Sequence, residues 1–106
     1  MALSIEEIQN KVIPIAEKYH LKSVYLFGSY ARNEATEESD VDLLIDRTGS
    51  TIKGLLDLSG LNSELSSELG KEVDLITTHM LEQKNTVERS PFFINNIFEE
   101  GIKIYG

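Results

Sequence analysis

The sequence predicts an α/β protein of the α+β type, in which about four strands form a small mixed sheet with helices packed on it. Short apolar runs alternate along the chain with longer segments whose apolar residues recur at intervals of three and four. The chain has 106 residues, a length that suits one domain. We therefore expect residues 1–106 to form a single domain around one core.

The first element is predicted to be a helix. Ser4 and Glu7 have the spacing of a capping box, which marks a helix start. The apolar residues that follow at helical spacing are Ile5, Ile8, Val12, Ile15 and Ala16. We expect the helix to end by Tyr19 or His20, and we expect Pro14 to kink it or to split it near Val12.

Two strands and a polar connector follow. Lys22 to Phe27 is a nearly continuous apolar run, typical of a strand buried on both faces, and Gly28 ends it. Ser29 to Arg32 is predicted to form a short helical turn, and Glu34 to Ser39 a solvated loop. Asp40 to Asp46 is the second predicted strand.

The second half repeats the helix-and-strand pattern. Thr51 to Leu69 is predicted to be one long helix, open to a bend at Gly60, with Gly70 as its C-terminal cap. Its predicted apolar stripe contains Ile52, Leu55, Leu56, Leu61, Leu65 and Leu69. Lys71 to Thr77 is predicted to be a third strand.

Further elements are predicted near the end of the chain. They are a short helix over Thr78 to Lys84, a helix that starts at Ser90-Pro91 and ends by Gly101, and a strand over Ile102 to Tyr105. The apolar residues of the second of these helices offer more surface than one helix face can bury in so small a core, so they serve either the core or a partner; they are Phe92, Phe93, Ile94, Ile97 and Phe98.

Composition excludes several classes of function. The net charge of −8 disfavours direct contact with nucleic acid, because phosphate backbones repel an acidic chain. The chain has no cysteine, which rules out disulfides and thiolate metal sites and favours a cytoplasmic setting. We see neither a secretory signal nor an apolar run long enough to cross a membrane.

Carboxylates gather around the second strand. Asp40 and Asp42 are two residues apart, so along a strand they point to the same face. Asp46 lies farther along and is interpreted as a charge at the rim of the strand. Carboxylates this close are either solvated or held together by a cation, and Mg²⁺ commonly binds through one or two carboxylates plus substrate phosphates.

A second half-site precedes these carboxylates. Gly28 lets the backbone approach a phosphate, Ser29 offers a hydroxyl, and Arg32 stands one turn farther on. Asp74 interrupts the apolar run of the third strand, where a buried carboxylate needs a partner. Alone, the Gly-Ser pair indicates only a turn, and the Asp pair only a solvated edge. Together with Asp74 they favour a metal–phosphate site.

These residues carry a resemblance. Gly28-Ser29, a ten-residue gap, Asp40-Val41-Asp42-Leu43 and then Val73-Asp74-Leu75 resemble the nucleotidyltransferase superfamily that includes DNA polymerase β. In so short a chain the pattern is similar to the minimal nucleotidyltransferases, and more narrowly to the MNT antitoxins paired with HEPN ribonuclease toxins. Asn33 replaces a glycine that is frequent in the family, and asparagine tolerates the positive φ that a turn requires.

The resemblance implies a set of roles. Catalytic and metal-binding roles fall on Asp40, Asp42 and Asp74, and nucleotide-binding roles on Gly28, Ser29 and Arg32. It implies two Mg²⁺ ions, ATP as substrate and transfer of AMP to a tyrosine hydroxyl of a HEPN toxin. The shortness of the chain implies that another polypeptide completes the acceptor site.

Three alternatives remain open on the sequence. The chain is an enzyme that adenylylates a toxin, an antitoxin that only masks the toxin stoichiometrically, or a subunit that senses nucleotides or modifies a small molecule. Tyr30 either stacks on a base or packs the turn. His20 and His79 are interpreted as surface or capping residues.

Overall fold

A computed structural model describes residues 3–78 and 101–106 of the chain. Within these residues the elements are α1 (Ile5–Lys18), β1 (Ser23–Phe27), β2 (Val41–Asp46), α2 (Leu55–Leu69), β3 (Val73–Thr77) and β4 (Ile102–Tyr105). No helix in these ranges is long and apolar enough to cross a membrane.

The four strands form one mixed sheet in the order β3-β2-β1-β4. β1 pairs antiparallel with β2 and with β4, whereas β2 pairs parallel with β3. A parallel pair needs a crossover connection, and α2 provides it. The mixed four-stranded sheet predicted from the sequence is therefore confirmed, and among the strands of residues 3–78 and 101–106, β3 and β4 are its edges.

The two helices pack on one face of this sheet. The core there is built from the buried residues Ile8, Val12, Ile15, Ala16, Val24, Leu26, Val41, Leu43, Ile45, Leu61, Leu65, Leu69, Val73 and Ile104. Gln9 Nε2 on α1 donates to Ile104 O on one edge strand at 3.1 Å. Asn62 Nδ2 on α2 donates to Val73 O on the other at 2.8 Å. Each helix is thus fastened to one edge of the sheet.

The predicted start of α1 is confirmed. Ser4 Oγ accepts a hydrogen bond from Glu7 N at 3.0 Å, and Ser4 N donates to Glu7 Oε1 at 3.1 Å. The helix runs through Pro14 without a break, so of the two expected effects of Pro14, a kink or a split near Val12, the split is wrong. Pro14 costs α1 one backbone hydrogen-bond donor. The helix stays continuous because buried residues before and after Pro14 pack both halves of α1 against the same core.

The start of α2 differs from the prediction. The helix begins at Leu55, with Gly54 as its N-cap, and not at Thr51. Thr51 N donates to Tyr19 O at 3.0 Å, so Thr51 is hydrogen-bonded to the C-terminal end of α1 and is not part of α2. Gly70 has a φ of 67° and caps the C-terminus as predicted, and α2 continues through Gly60.

The predicted apolar stripe of α2 is wrong at two positions. Leu55 is 78% exposed and Leu56 is 90% exposed, whereas Leu61, Leu65 and Leu69 are buried. Leu56 precedes Leu65 by nine residues, or two and a half helical turns, so the two residues lie on opposite faces of α2. The helical spacing of the buried stripe therefore does not include Leu56.

The final predicted strand, Ile102 to Tyr105, is confirmed as β4. The helices predicted over Thr78 to Lys84 and from Ser90-Pro91, including Phe92, Phe93 and Ile94, fall on residues 79–100, outside the described ranges.

Candidate active site

The turn after β1 is a single helical turn with a defined end. Arg32 N donates to Gly28 O at 3.1 Å, as in one turn of a helix. Asn33 N donates to Tyr30 O at 3.2 Å, and Glu34 N donates to Ser29 O at 2.9 Å. This pair of bonds is the Schellman motif, which requires a left-handed residue at its corner. Asn33 is that residue, with a φ of 59°, as the sequence predicted.

Gly28 begins this turn with a φ of 76°. Its preceding residue, Phe27, pairs across the antiparallel ladder with Asp42. A side chain added at Gly28 would place its Cβ 2.1 Å from Asp42 Oδ2. The Gly-Ser turn and the Asp42 carboxylate are therefore in direct contact range, as the two predicted half-sites require.

Asp42 and Asp74 stand side by side. They are register partners in the parallel pair of β2 and β3, and their carboxyl groups are within hydrogen-bonding reach of each other. Two carboxyl groups so close cannot both ionise cheaply. A site that unites Asp42 with Asp74 was predicted from the sequence, and the register explains how the two residues meet.

The burial of Asp74 differs from the prediction. Asp74 was expected to be a buried carboxylate, but it is exposed because β3 is an edge strand. Asp42 lies on the inner strand β2 and is partly buried. The cost of removing a carboxylate from water therefore falls on Asp42.

The pKa of Asp42 reflects this position. Burial, followed by hydrogen bonding with Asp74 and the negative charges of Asp74 and Asp40, raises the pKa of Asp42 from 3.8 to about 6. The guanidinium of Arg32 lowers it in part. Arg32 is thus close enough to Asp42 for its positive charge to act on the Asp42 carboxylate. Arg32 Nε also forms a salt bridge with Glu34 Oε1 at 3.5 Å.

The other acidic residues of this region have separate places. Asp40 is exposed and immediately precedes β2, which begins at Val41, one residue later than predicted. Asp46 lies at the opposite end of β2, where its Oδ1 accepts a hydrogen bond from Thr48 N at 3.0 Å. Bonds from Thr48 lower the pKa of Asp46. Asp46 therefore stands apart from the pair, in agreement with its interpretation as a rim charge.

The arrangement suits a divalent cation that is shared with a substrate. Across residues 3–78 and 101–106, no three His, Cys, Asp or Glu side chains are close enough to hold a metal ion by themselves. Asp42 and Asp74 form an adjacent carboxylate pair, and Mg²⁺ usually takes one or two carboxylates together with phosphate oxygens. The donor set fits Mg²⁺ that arrives with a nucleotide better than a resident ion in a protein cage.

Tyr30 is a residue whose role the sequence left open. Its side chain is 3% exposed and belongs to the core that the helices cover. Tyr30 therefore packs the turn and does not present its ring to a base. Its hydroxyl is buried without a hydrogen-bond partner in the part of the chain that is described. The residues next to Tyr30 in the sequence gave no local sign of this placement, because Tyr30 comes close to the start of α1 only in the folded chain, where it lines a cavity with Ser4 and Ile5.

The fold, the turn and the acidic pair together define a class of enzyme. Residues 10–104 match the family model described as a nucleotidyltransferase domain. The chain belongs to this family and is a nucleotidyltransferase.

Two similar chains carry the name protein adenylyltransferase. A chain from Methanocaldococcus jannaschii, provisionally named protein adenylyltransferase MJ1217, is 44% identical over 101 residues, which are 94% of this chain and 94% of the relative. Protein adenylyltransferase MntA from Thermococcus cleftensis is 37% identical over 78 residues, covering 70% of this chain and 77% of that one.

Solved structures share the fold. One that is described provisionally as a minimal nucleotidyltransferase has a TM-score of 0.69 and 28% identity, and the match covers 94% of this chain and 95% of that one. A chain in a toxin–antitoxin crystal structure with AMP-PNP has the same TM-score of 0.69 at 23% identity, over 92% of this chain and 73% of that one. The mixed four-stranded sheet with two helices is the fold of these neighbours.

Proposed function

We propose that the protein is a metal-dependent antitoxin that transfers AMP from ATP to a tyrosine hydroxyl of a cognate HEPN ribonuclease toxin and thereby neutralises it. The observation that carries the proposal is the contact between the Gly28-Ser29 turn and a carboxylate pair, Asp42 and Asp74, on adjacent strands. The protein adenylyltransferase names of relatives 37% and 44% identical to this chain support the reaction. The fold that it shares with a chain from a toxin–antitoxin complex supports the partner.

The turn after β1 would hold the triphosphate. The first N–H groups of a helical turn lack partners within the turn and favour anions. Ser29 adds a hydroxyl donor, and Arg32 brings positive charge to the same place. These groups would bind the β- and γ-phosphates, and the α-phosphorus would then face the carboxylates.

Asp40, Asp42 and Asp74 are the proposed metal-binding residues. Two bound Mg²⁺ ions would neutralise the triphosphate and lower the pKa of the attacking hydroxyl. Asp42, whose carboxyl is costly to ionise beside Asp74, gains most from a cation. Asp40, exposed immediately before β2, would join the pair when a cation and the nucleotide are bound.

Asp74 is the proposed proton acceptor. The acceptor oxygen would attack the α-phosphorus and form a new P–O bond, while the bond from the α-phosphorus to the bridging oxygen breaks and pyrophosphate leaves. The hydroxyl proton would pass to the carboxylate of Asp74, which is exposed on the edge strand and can be reached from outside the chain. The protein's contribution is mainly to position groups and neutralise charge.

The test is transfer of AMP to the partner. The chain is incubated with its cognate HEPN protein, ATP and Mg²⁺, and the intact mass of the partner is followed. Mass gains in steps of one AMP on a tyrosine support the proposal. A tight complex that inhibits the toxin with no mass gain means that the chain acts by masking.

A matched pair of variants on one strand sharpens this test. Asp42→Asn is expected to lower transfer by at least about a hundredfold, because it removes a carboxylate that would hold the metal ion against the nucleotide phosphates. Asp46→Asn makes the same chemical change at the other end of β2 and is expected to keep transfer within about threefold. Equal activity in the two variants would contradict the proposed site.

A further inference from the structure

Gly28 lies directly against the carboxylate of Asp42. An added Cβ at this position would be 2.1 Å from Asp42 Oδ2, 3.1 Å from Cγ and 3.4 Å from Asp42 Cβ. Real Cβ atoms essentially never approach another heavy atom within 3.0 Å. The space that a side chain would take at Gly28 is thus already filled by Asp42.

Two other glycines separate backbone conformation from this contact. Gly49 and Gly70 have φ values of 74° and 67°, close to the 76° of Gly28, yet an added Cβ at either would meet nothing within 4 Å. Positive φ explains why glycine suits all three turns. At Gly28 there is a second requirement, which is room for the Asp42 carboxylate.

We propose that Gly28 is a positioning residue for Asp42: its missing side chain leaves the space in which the Asp42 carboxylate lies beside Asp74. This role is separate from the close approach of the Gly28 backbone to a phosphate. Its value for catalysis rests on the proposed function, but the positioning itself is a property of the chain alone.

The ladder explains why the carboxylate, and not the strand, would respond to a side chain at position 28. Asp42 is paired on one side with Phe27 and on the other with Asp74. Its Cα is therefore fixed from both sides, whereas the carboxyl group turns about two single bonds. A methyl group at Gly28 would drive the carboxylate away from the position where it meets Asp74.

The first test is structural and needs neither metal nor nucleotide. Crystal structures of the wild type, Gly28→Ala and Gly49→Ala are compared without metal. In Gly28→Ala, Asp42 Oδ2 is expected to lie more than 3.0 Å from the new Cβ and out of reach of Asp74, while Gly49→Ala keeps the wild-type pair. An Asp42 carboxylate that stays beside Asp74 in Gly28→Ala would overturn the inference.

The second test is a double-mutant cycle read by Mn²⁺ binding. Free Mn²⁺ is measured by electron paramagnetic resonance in the presence of a non-hydrolysable ATP analogue. Gly28→Ala is expected to weaken Mn²⁺ binding by about tenfold or more, a typical loss when a group that orients a ligand is changed, and Gly49→Ala by less than about threefold. In an Asp42→Ala background, Gly28→Ala should have no further effect. An equal loss in both backgrounds would mean that Gly28 acts on the phosphate and not through Asp42.

The same variants distinguish a folding defect of Gly28→Ala from a failure of the proposed AMP transfer. If Gly28→Ala fails to fold while Gly49→Ala, at nearly the same positive φ, folds, then recovery of folding on adding Asp42→Ala supports the contact, and failure of the double variant contradicts it. If the carboxylate moves as expected but the wild type transfers no AMP, the proposed function fails and the positioning role stands.

Discussion

At the scale of single residues, Asp42 sets the electrostatics of the site. It is the partly buried member of the carboxylate pair, and its pKa is raised to about 6. Between pH 4 and pH 6 the folded chain therefore binds more protons at this residue than the unfolded chain does. By linkage, this group costs stability as pH rises through that window.

Asp42→Asn is expected to remove this cost. In the absence of divalent cations, the variant should be more stable than the wild type at pH 7 by about 1 kcal/mol, a value discounted because Asp42 is only partly buried. The advantage should shrink toward pH 4, where Asp42 is protonated in both states. Urea unfolding at the two pH values in EDTA measures it.

Asp46 provides the control of opposite sign. The pKa of Asp46 is lowered by hydrogen bonds from Thr48, so its stabilising contribution is present at neutral pH and is lost as pH falls through the folded-state pKa. Asp46→Asn should therefore be no more stable than the wild type at pH 7. A stabilised Asp46→Asn, or an unchanged Asp42→Asn, would contradict the assignment of the buried charge to Asp42.

At the scale of elements, the sequence predicted what is encoded locally. The capping box at Ser4, the end of β1 at Gly28 and the left-handed residue Asn33 follow from neighbouring residues, and all are confirmed. The motif also grouped Asp42 with Asp74, and the register of β2 and β3 explains how these two carboxyl groups come to lie side by side.

What the sequence could not predict depends on strand order. An apolar run around Asp74 is compatible with an inner or an edge strand, and only the pairing of β4 with β1 makes β3 an edge. That pairing joins distant parts of the chain, so no local pattern reveals it. The exposure of Asp74 follows from this assembly, whereas that of Leu56 follows from its place on the helix face opposite Leu65.

The two ends of α2 should respond differently to truncation. Leu65→Ala is expected to destabilise the fold by about 2–5 kcal/mol, because Leu65 is buried between α2 and the sheet. Leu56→Ala removes the same atoms from a residue that is 90% exposed and should stay within about 0.5 kcal/mol of the wild type. Chemical unfolding of both variants tests this, and equal losses would contradict the described packing.

At the scale of the whole molecule, the net charge of −8 makes cation binding a source of stability. A ligand that binds only the folded chain stabilises it by about 2.7 kcal/mol when its concentration is a hundred times Kd. Mg²⁺ with ATP should therefore raise the melting temperature by roughly 10 °C or more for a domain of this size.

Differential scanning calorimetry with and without EDTA measures the shift. Asp42→Asn and Asp74→Asn should lose most of it, whereas Asp46→Asn should keep it. A shift that survives both substitutions in the carboxylate pair would place the nucleotide elsewhere on the molecule.

The parallel register of β2 and β3 also has a consequence for the order of folding. The β1–β2 hairpin brings Gly28 and Asp42 together through contacts near in sequence, whereas Asp74 arrives only after α2 has crossed the sheet. Pairings between distant segments form more slowly than local ones. A chain still emerging during synthesis therefore gains the proposed phosphate-binding turn at Gly28 first and the proposed proton acceptor, Asp74, later. Catalytic competence is thus expected only once the crossover has closed.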